Sequence, residues 1–458
     1  MISRRSFIAG VSAAIVGPRL VLAQDSAGTL VLLAEKAEMQ LVQGGGKTPV
    51  WRFMKEAPTA VLRAKQGQPF KLQFSNKLES EIALHWFGIR GPEAMMTVFA
   101  NPDDAAPTEI EFTPPDAGTF WFGPLIRASQ QRDMGLYGML IVEEATPQNF
   151  NDVPMIFDDW QIAEGGVMSQ GFGNLQDAIG QGRMGNWFTL NGAFKSHIKI
   201  DRAKPARLRL LNAANVRSMN VLFKDAELYV MALDGQPVPL KPLGQEALKL
   251  APGQRADLLL ADIKSQITVS LDLAEDVAEV GFLDPIGSIS GIELPDNFIL
   301  PANLLPVLGD LATAKVFTIL IEGGAKGGLK SAIVGDERLE MRALLEKGLA
   351  WALNGVAGPG GPALFNVAAG DTVVLTLENN TSFPQPMHIH GHVWQMIEAD
   401  GQALESEPWR DTVVVPGLSK VKMAFLADNV GLWAIQSLIA ERVDSGLLGA
   451  FTVAVPQP

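Results

Sequence analysis

The sequence predicts an all-β protein made of three consecutive β-sandwich domains, and three observations carry that prediction. Helical periodicity is scarce over the 458 residues, whereas short alternating apolar–polar runs bounded by Gly, Pro, Asn and Asp recur throughout. An internal repeat is visible: Gly67–Asn76, Ala203–Asn212 and Gly370–Asn379 each read as a turn, an alternating strand and a terminal Asn. The units begin 136 and 167 residues apart, a spacing that suits sandwich domains of ordinary size.

Taken in order, residues 1–23 read as an address. They hold Arg4-Arg5, an apolar run from Phe7 to Gly17 and small or apolar residues up to Ala23, the order of a cleavable signal peptide. The run is too short to span a bilayer. Ser3-Arg4-Arg5-Ser6-Phe7-Ile8 resembles the twin-arginine consensus, read by a translocase that passes folded proteins; the plainer alternative is an ordinary signal with two chance arginines. Domain 1 is expected over 28–145, domain 2 over 152–282 and domain 3 over 312–456. Glu143–Val153 and the Pro-, Gly- and Asp-rich Phe282–Leu311 serve as linkers, and Asp336–Leu349 is the best helix candidate, read as a connector. The mature chain is expected in the periplasm, cleaved near Ala23, without a membrane span.

Composition excludes much chemistry. Lys and Arg total 37 against 50 Asp and Glu, a net charge of −13, so no basic footprint exists for nucleic acid or an anionic membrane. The chain has no Cys. Disulfides, thiolate nucleophiles, Cys-ligated zinc, iron–sulfur clusters and a blue-copper thiolate are therefore ruled out. Five His leave little else for metal or proton chemistry.

Motifs then carry a resemblance. Leu84-His85-Trp86-Phe87-Gly88, Gly118-Thr-Phe-Trp-Phe-Gly-Pro-Leu125, Phe383-Pro-Gln-Pro-Met-His-Ile-His-Gly-His392 and Gly431–Gly446 resemble, in order, the four copper motifs of the multicopper oxidases. Leu190-Asn191-Gly192, Arg207–Asn212 and Leu250–Asp257 look like that family's middle domain. The resemblance implies cupredoxin-like Greek-key sandwiches, and it also exposes losses. The family's mononuclear blue centre takes His, Cys and His with a weak axial ligand; the matching positions are Gln385, Ser437, Arg442 and Leu447. A hydroxyl binds copper poorly, and a guanidinium is a permanent cation. The family's trinuclear, oxygen-reducing centre takes eight His. Here His85, His388 and His390 remain, while Phe87, Gly123, Leu125, Gln436 and Leu438 replace the other five. Met96 stands where a proton-relaying Asp is expected, and Glu441 is kept.

The expected function is accordingly non-catalytic. The chain is similar to a copper-free, twin-arginine-exported periplasmic member of this fold that supports cell division, so a binding or scaffold role toward envelope proteins is the leading reading. The alternative is a residual copper-binding protein, or an oxidoreductase of the family, using the surviving His. No cofactor is expected, or at most one copper ion. That ion would be a weakly held Cu(II) between His85 and His388, with His390 left beside Leu125 and Leu438. Phe87, Leu125 and Leu438 are expected to refill the emptied copper pockets with apolar volume. Structural roles are expected for the rest: His392, an exposed strand position for His197, a strand-end hydrogen-bonding role for Asp411, and an ion pair between Glu441 and Arg442.

Overall fold

The computed structural model describes residues 30–456 except 43–44, 56–58, 103, 262, 289–297, 326 and 406. The expected leader, with Arg4 and Arg5, lies outside the described residues. Each of the three units is a pair of packed sheets. In the first, a sheet ordered Thr48–Arg52, Leu30–Met39, Phe70–Asn76, Thr108–Phe112 faces one ordered Ala60–Lys65, Gly138–Glu143, Gly118–Pro124, Ile82–Phe87, Thr97–Ala100. The second and third repeat the plan with larger sheets.

The sequence repeat is a structural repeat. Phe70–Asn76, Ala206–Asn212 and Thr372–Asn379 each run parallel to the first strand of their own domain and antiparallel to a later one. Phe70, Leu72 and Phe74 are buried while Lys71 is exposed, which is the period-2 pattern of a half-buried strand. The closing Asn does the same work three times. Its amide donates to Ser80 and Ala100 carbonyls from Asn76, to Arg217 and Leu250 from Asn212, and to Phe383, Val415 and Pro416 from Asn379. Its carbonyl accepts the backbone N–H two residues on, at Leu78, Ala214 and Thr381. Each Asn thereby satisfies buried backbone groups where the strand ends and the chain turns.

Two details depart from expectation. The last strand of the second domain, Val277–Ile286, runs four residues past the boundary placed at 282. Its far end pairs with Ser196–Asp201, and that pairing holds it in the sheet. Within Asp336–Leu349 only Met341–Glu346 is helical; Glu337–Glu340 instead forms a hairpin with Ser331–Val334, so the segment is no connector. Apolar packing also ignores the domain frame. One core cluster joins domains 1 and 3, and another gathers Phe87 and Trp121, Ile156 and Leu211, and Leu438 from all three.

Candidate functional site

The surviving imidazoles meet where domains 1 and 3 touch. His85 sits on Ile82–Phe87, opposite Thr97 and Gly123 in the sheet. His388 sits on Gln385–Ile389, opposite Thr412 and Gln436. His390 follows that strand, its N–H donating to the Ala434 carbonyl. All three are at most 3% exposed, and one ligand atom from each lies within 4.8 Å of the other two. The rings of His85 and His390 lie 4.0 Å apart, tilted by 30°. His390 is therefore not isolated, contrary to expectation: the turn into Gly391 brings its ring over His85, whereas strand alternation alone sends it to the opposite face.

Neighbours orient these rings. His85 Nδ1 is 2.8 Å from Thr97 Oγ1, and His388 Nδ1 is 3.0 Å from Thr412 Oγ1 and 3.3 Å from Asp411 Oδ1. The Nε2 atoms of His388 and His390 are buried with no hydrogen-bond partner. Burial, helped by the other imidazoles, holds His85 and His390 well below the usual imidazole range, so both stay neutral.

The replaced positions divide. Phe87 stacks on Trp121 at 3.8 Å and 7°, and meets the edges of His85, His388 and His390. Leu438 is fully buried in the same cluster. A side chain at Gly123 would press on Trp121, which already fills that space. Leu125 does not refill anything: it is half-buried outside the core, its N–H bonded to the Ala83 carbonyl. The chain turns outward after Pro124 and carries Leu125 off the strand. Of the five family imidazole positions, Phe87 and Leu438 pack as apolar wall beside the three retained rings, Leu125 lies outside, and Gly123 and Gln436 supply no imidazole, so a trinuclear centre does not fit.

The positions of the blue centre have converged on each other. Gln385 Oε1 accepts from Ser437 Oγ at 3.2 Å and from Arg442 Nη1 at 2.8 Å. Arg442 also donates to the Pro384 carbonyl at 2.9 Å and lies over the rings of Trp351 and Phe383. Leu447 is fully buried. Burial pulls the Arg442 guanidinium down to about 9 against the opposing charge of Glu441, which leaves it cationic at neutral pH. A hydrogen-bonded cation fills the place of the metal, so copper does not fit there.

The remaining predicted residues separate. Glu441 is not bonded to Arg442: its Oε1 accepts from Asn215 at 3.2 Å, and its Oε2 is buried without a partner. Burial and the neighbouring Asp133 charge push it up to about 8. Met96 is buried in the shared core of domains 1 and 3. His197 is only partly exposed, stacked on Phe282 and 2.8 Å from Asp284. His392 is buried among Phe425, Trp433 and Phe451, with Nδ1 on the His390 carbonyl, as a structural role requires. Asp411 does more than close a strand. It is fully buried and forms a two-point pair with Arg255 of domain 2, which also donates to the Thr119 carbonyl of domain 1. Burial works to raise the Asp411 carboxyl, but Arg255 and His388 hold it far below the carboxylate range. Arg255 gives no motif signal beyond its place after Pro252-Gly253-Gln254, and its role depends on partners more than 130 residues away.

Comparison with known proteins agrees with this geometry. Sequence profiles described as multicopper oxidase match residues 36–147, 140–266 and 336–457. The cell division protein FtsP of Xenorhabdus nematophila is 25% identical, covering 94% of this chain and 91% of its own. The multicopper oxidase MmcO of Mycobacterium tuberculosis is also 25% identical, covering 89% and 83%. Among solved structures, a multi-copper oxidase of Pseudomonas thermotolerans superposes with a TM-score of 0.78 at 25% identity, over 93% of this chain and 99% of that one.

Proposed function

The chain belongs to the multicopper oxidase family, and we propose that it works there without turnover, as an exported binding or scaffold protein of the cell envelope that supports cell division. The observation that carries this reading is the knot of Gln385, Ser437 and Arg442. With no thiolate and a guanidinium in the metal's place, no centre remains to take electrons from a substrate. The FtsP relatives, similar along nearly the full length, support the division role. Export folded through the twin-arginine route, directed by Arg4 and Arg5, fits a chain without Cys whose stability rests on packing. No helix among the described residues is long and apolar enough to cross a membrane.

The reading is tested by deleting the gene in its host and measuring cell length and division under envelope stress. The deletion should give chained or filamentous cells, restored by the wild-type chain and equally by a variant lacking all three site imidazoles. Copper-loaded protein should show no intense visible band and no oxygen uptake with phenols, aromatic amines or cuprous ion. Oxygen uptake above a metal-only control, or a deletion strain that divides normally under stress, would overturn it.

A further inference from the structure

We infer that Arg442 anchors a closed site for a small monocarboxylate, of the size of formate or acetate, in the place that the family gives to its blue copper. The inference goes beyond the proposed role, which requires no small ligand, and its failure would leave that role as it stands.

Charge is the first ground. Among the described residues six arginines are at most 2% exposed: Arg132, Arg183, Arg207, Arg209, Arg255 and Arg442. Four of them hold carboxylates. Arg183 holds Asp133, Arg207 holds Glu144 and Asp257, Arg209 holds Asp152 and Asp257, and Arg255 holds Asp411. Arg132 and Arg442 donate to uncharged carbonyl oxygens alone. Arg132 nevertheless sits in the field of four acids, Asp133, Asp158, Glu441 and Asp444. Arg442 is opposed by Glu441 alone, and that side chain is turned to Asn215. A buried cation without a counter-ion is costly, and an anion from solution would supply the missing charge.

The free donors then select the anion. Nη1 of Arg442 is occupied by the Pro384 carbonyl at 2.9 Å and by Gln385 Oε1 at 2.8 Å. The opposite edge is open: Nε is buried without a partner, and Nη2 reaches only the Gly180 carbonyl, at 3.4 Å. The N–H bonds of Nε and Nη2 run parallel, at the spacing that takes both oxygens of one carboxylate. Arg90 uses this same edge on Asp116, through Nε and Nη2 at 2.8 Å each. Gln385 leaves a further donor nearby. Its Oε1 accepts from Ser437 and Arg442, which fixes the amide, and its Nε2 is buried without an acceptor.

The walls limit the size. Trp351 and Phe383 lie over the guanidinium, with ring centroids 4.9 and 5.1 Å away. A strap of domain 2 closes the open edge. Three successive carbonyls at the end of its helix Leu175–Ile179, those of Ala178, Ile179 and Gly180, accept from Trp351 Nε1 at 2.7 Å, the Ala325 N–H at 2.8 Å and Arg442 Nη2 at 3.4 Å. The third bond is the weak one. A carboxylate oxygen is the stronger acceptor and displaces it, while the other two keep the strap in place and shut out bulky ligands.

The test exchanges chloride for formate at constant ionic strength and pH 7 while the melting of the purified chain is followed, with calorimetric titration of formate to count sites. One formate per chain is expected, raising the melting temperature as occupancy rises. Acetate should bind as well, and benzoate should not. Arg442→Met removes the guanidinium and should abolish binding. Arg442→Lys keeps the charge without the two-point edge and should weaken binding at least about tenfold. Melting in chloride shows whether each variant is folded, and Arg442→Lys decides if Arg442→Met is not. The inference is overturned by formate that gives neither heat nor a rise in melting temperature over chloride, by more than one formate per chain, by benzoate binding as tightly as formate, or by a folded Arg442 variant that binds formate like the parent.

Discussion

Replacing Phe87 by His restores the imidazole that the family carries at this place, and the structure predicts that it destabilises the metal-free protein. The Phe87 ring is 1% exposed and stacked flat on Trp121. Losing that stack costs about 0.5–1.5 kcal/mol beyond area burial. The new ring brings an N–H into a wall of Trp121 and Leu438. The rings that could accept from it, on His85, His388 and His390, are centred 4.6, 5.6 and 6.2 Å from the present phenyl, and His85 Nδ1 is already engaged by Thr97. A buried N–H without a well-placed acceptor costs about 1–3 kcal/mol. Imidazole is smaller than phenyl, so no overpacking is added. Together these give about 1.5–4.5 kcal/mol, read as a fall of roughly 3–18 °C in melting temperature for units of this size. The assay is differential scanning calorimetry of parent and Phe87→His in excess chelator. If the variant melts at or above the parent there, the aromatic ring is not what stabilises the emptied pocket, and the reasoning fails.

Other substitutions probe the neighbouring networks. Gln385→Leu removes the acceptor shared by Ser437 and Arg442 and should lower stability by about 2–3 kcal/mol, read from a urea midpoint; an unchanged midpoint refutes the knot as a stabilising unit. Arg255→Met leaves Asp411 buried without its cation and should cost about 3–5 kcal/mol, checked by calorimetry. The pH dependence has a definite sign at Glu441. Its folded value of about 8 lies above the ordinary range near 4.3, so the folded protein holds a proton that the unfolded chain releases. That contribution is full below about pH 4 and is lost as pH rises through 8. Asp133, Arg132 and Asn215 face this carboxyl, and Glu441→Gln removes only its titration. The variant's melting temperature should therefore gain on the parent between about pH 4 and 8 and level off above that; a constant difference rejects the assignment.

The sequence alone determined what is local and repetitive. Strand alternation, turn residues and the three closing Asn residues depend on near neighbours, so the three-sandwich plan was legible in Gly67–Asn76, Ala203–Asn212 and Gly370–Asn379. Absent chemistry was equally legible, because a missing Cys or a Phe in place of an imidazole needs no geometry to be recognised. Tertiary structure decided what those losses became. That Gln385 and Ser437 at strand ends bond to Arg442 of the short helix Ala440–Asp444, that Glu441 of that helix turns to Asn215 rather than to its neighbour Arg442, and that Leu125 leaves the pocket after Pro124 depend on where those segments meet in space. The joining of His390 to His85 and the clasp of Arg255 on Asp411 need domains packed together from residues over a hundred positions apart. Periodicity carries no information about such distances, and burial at a domain junction sets both the partners and the charge states found there.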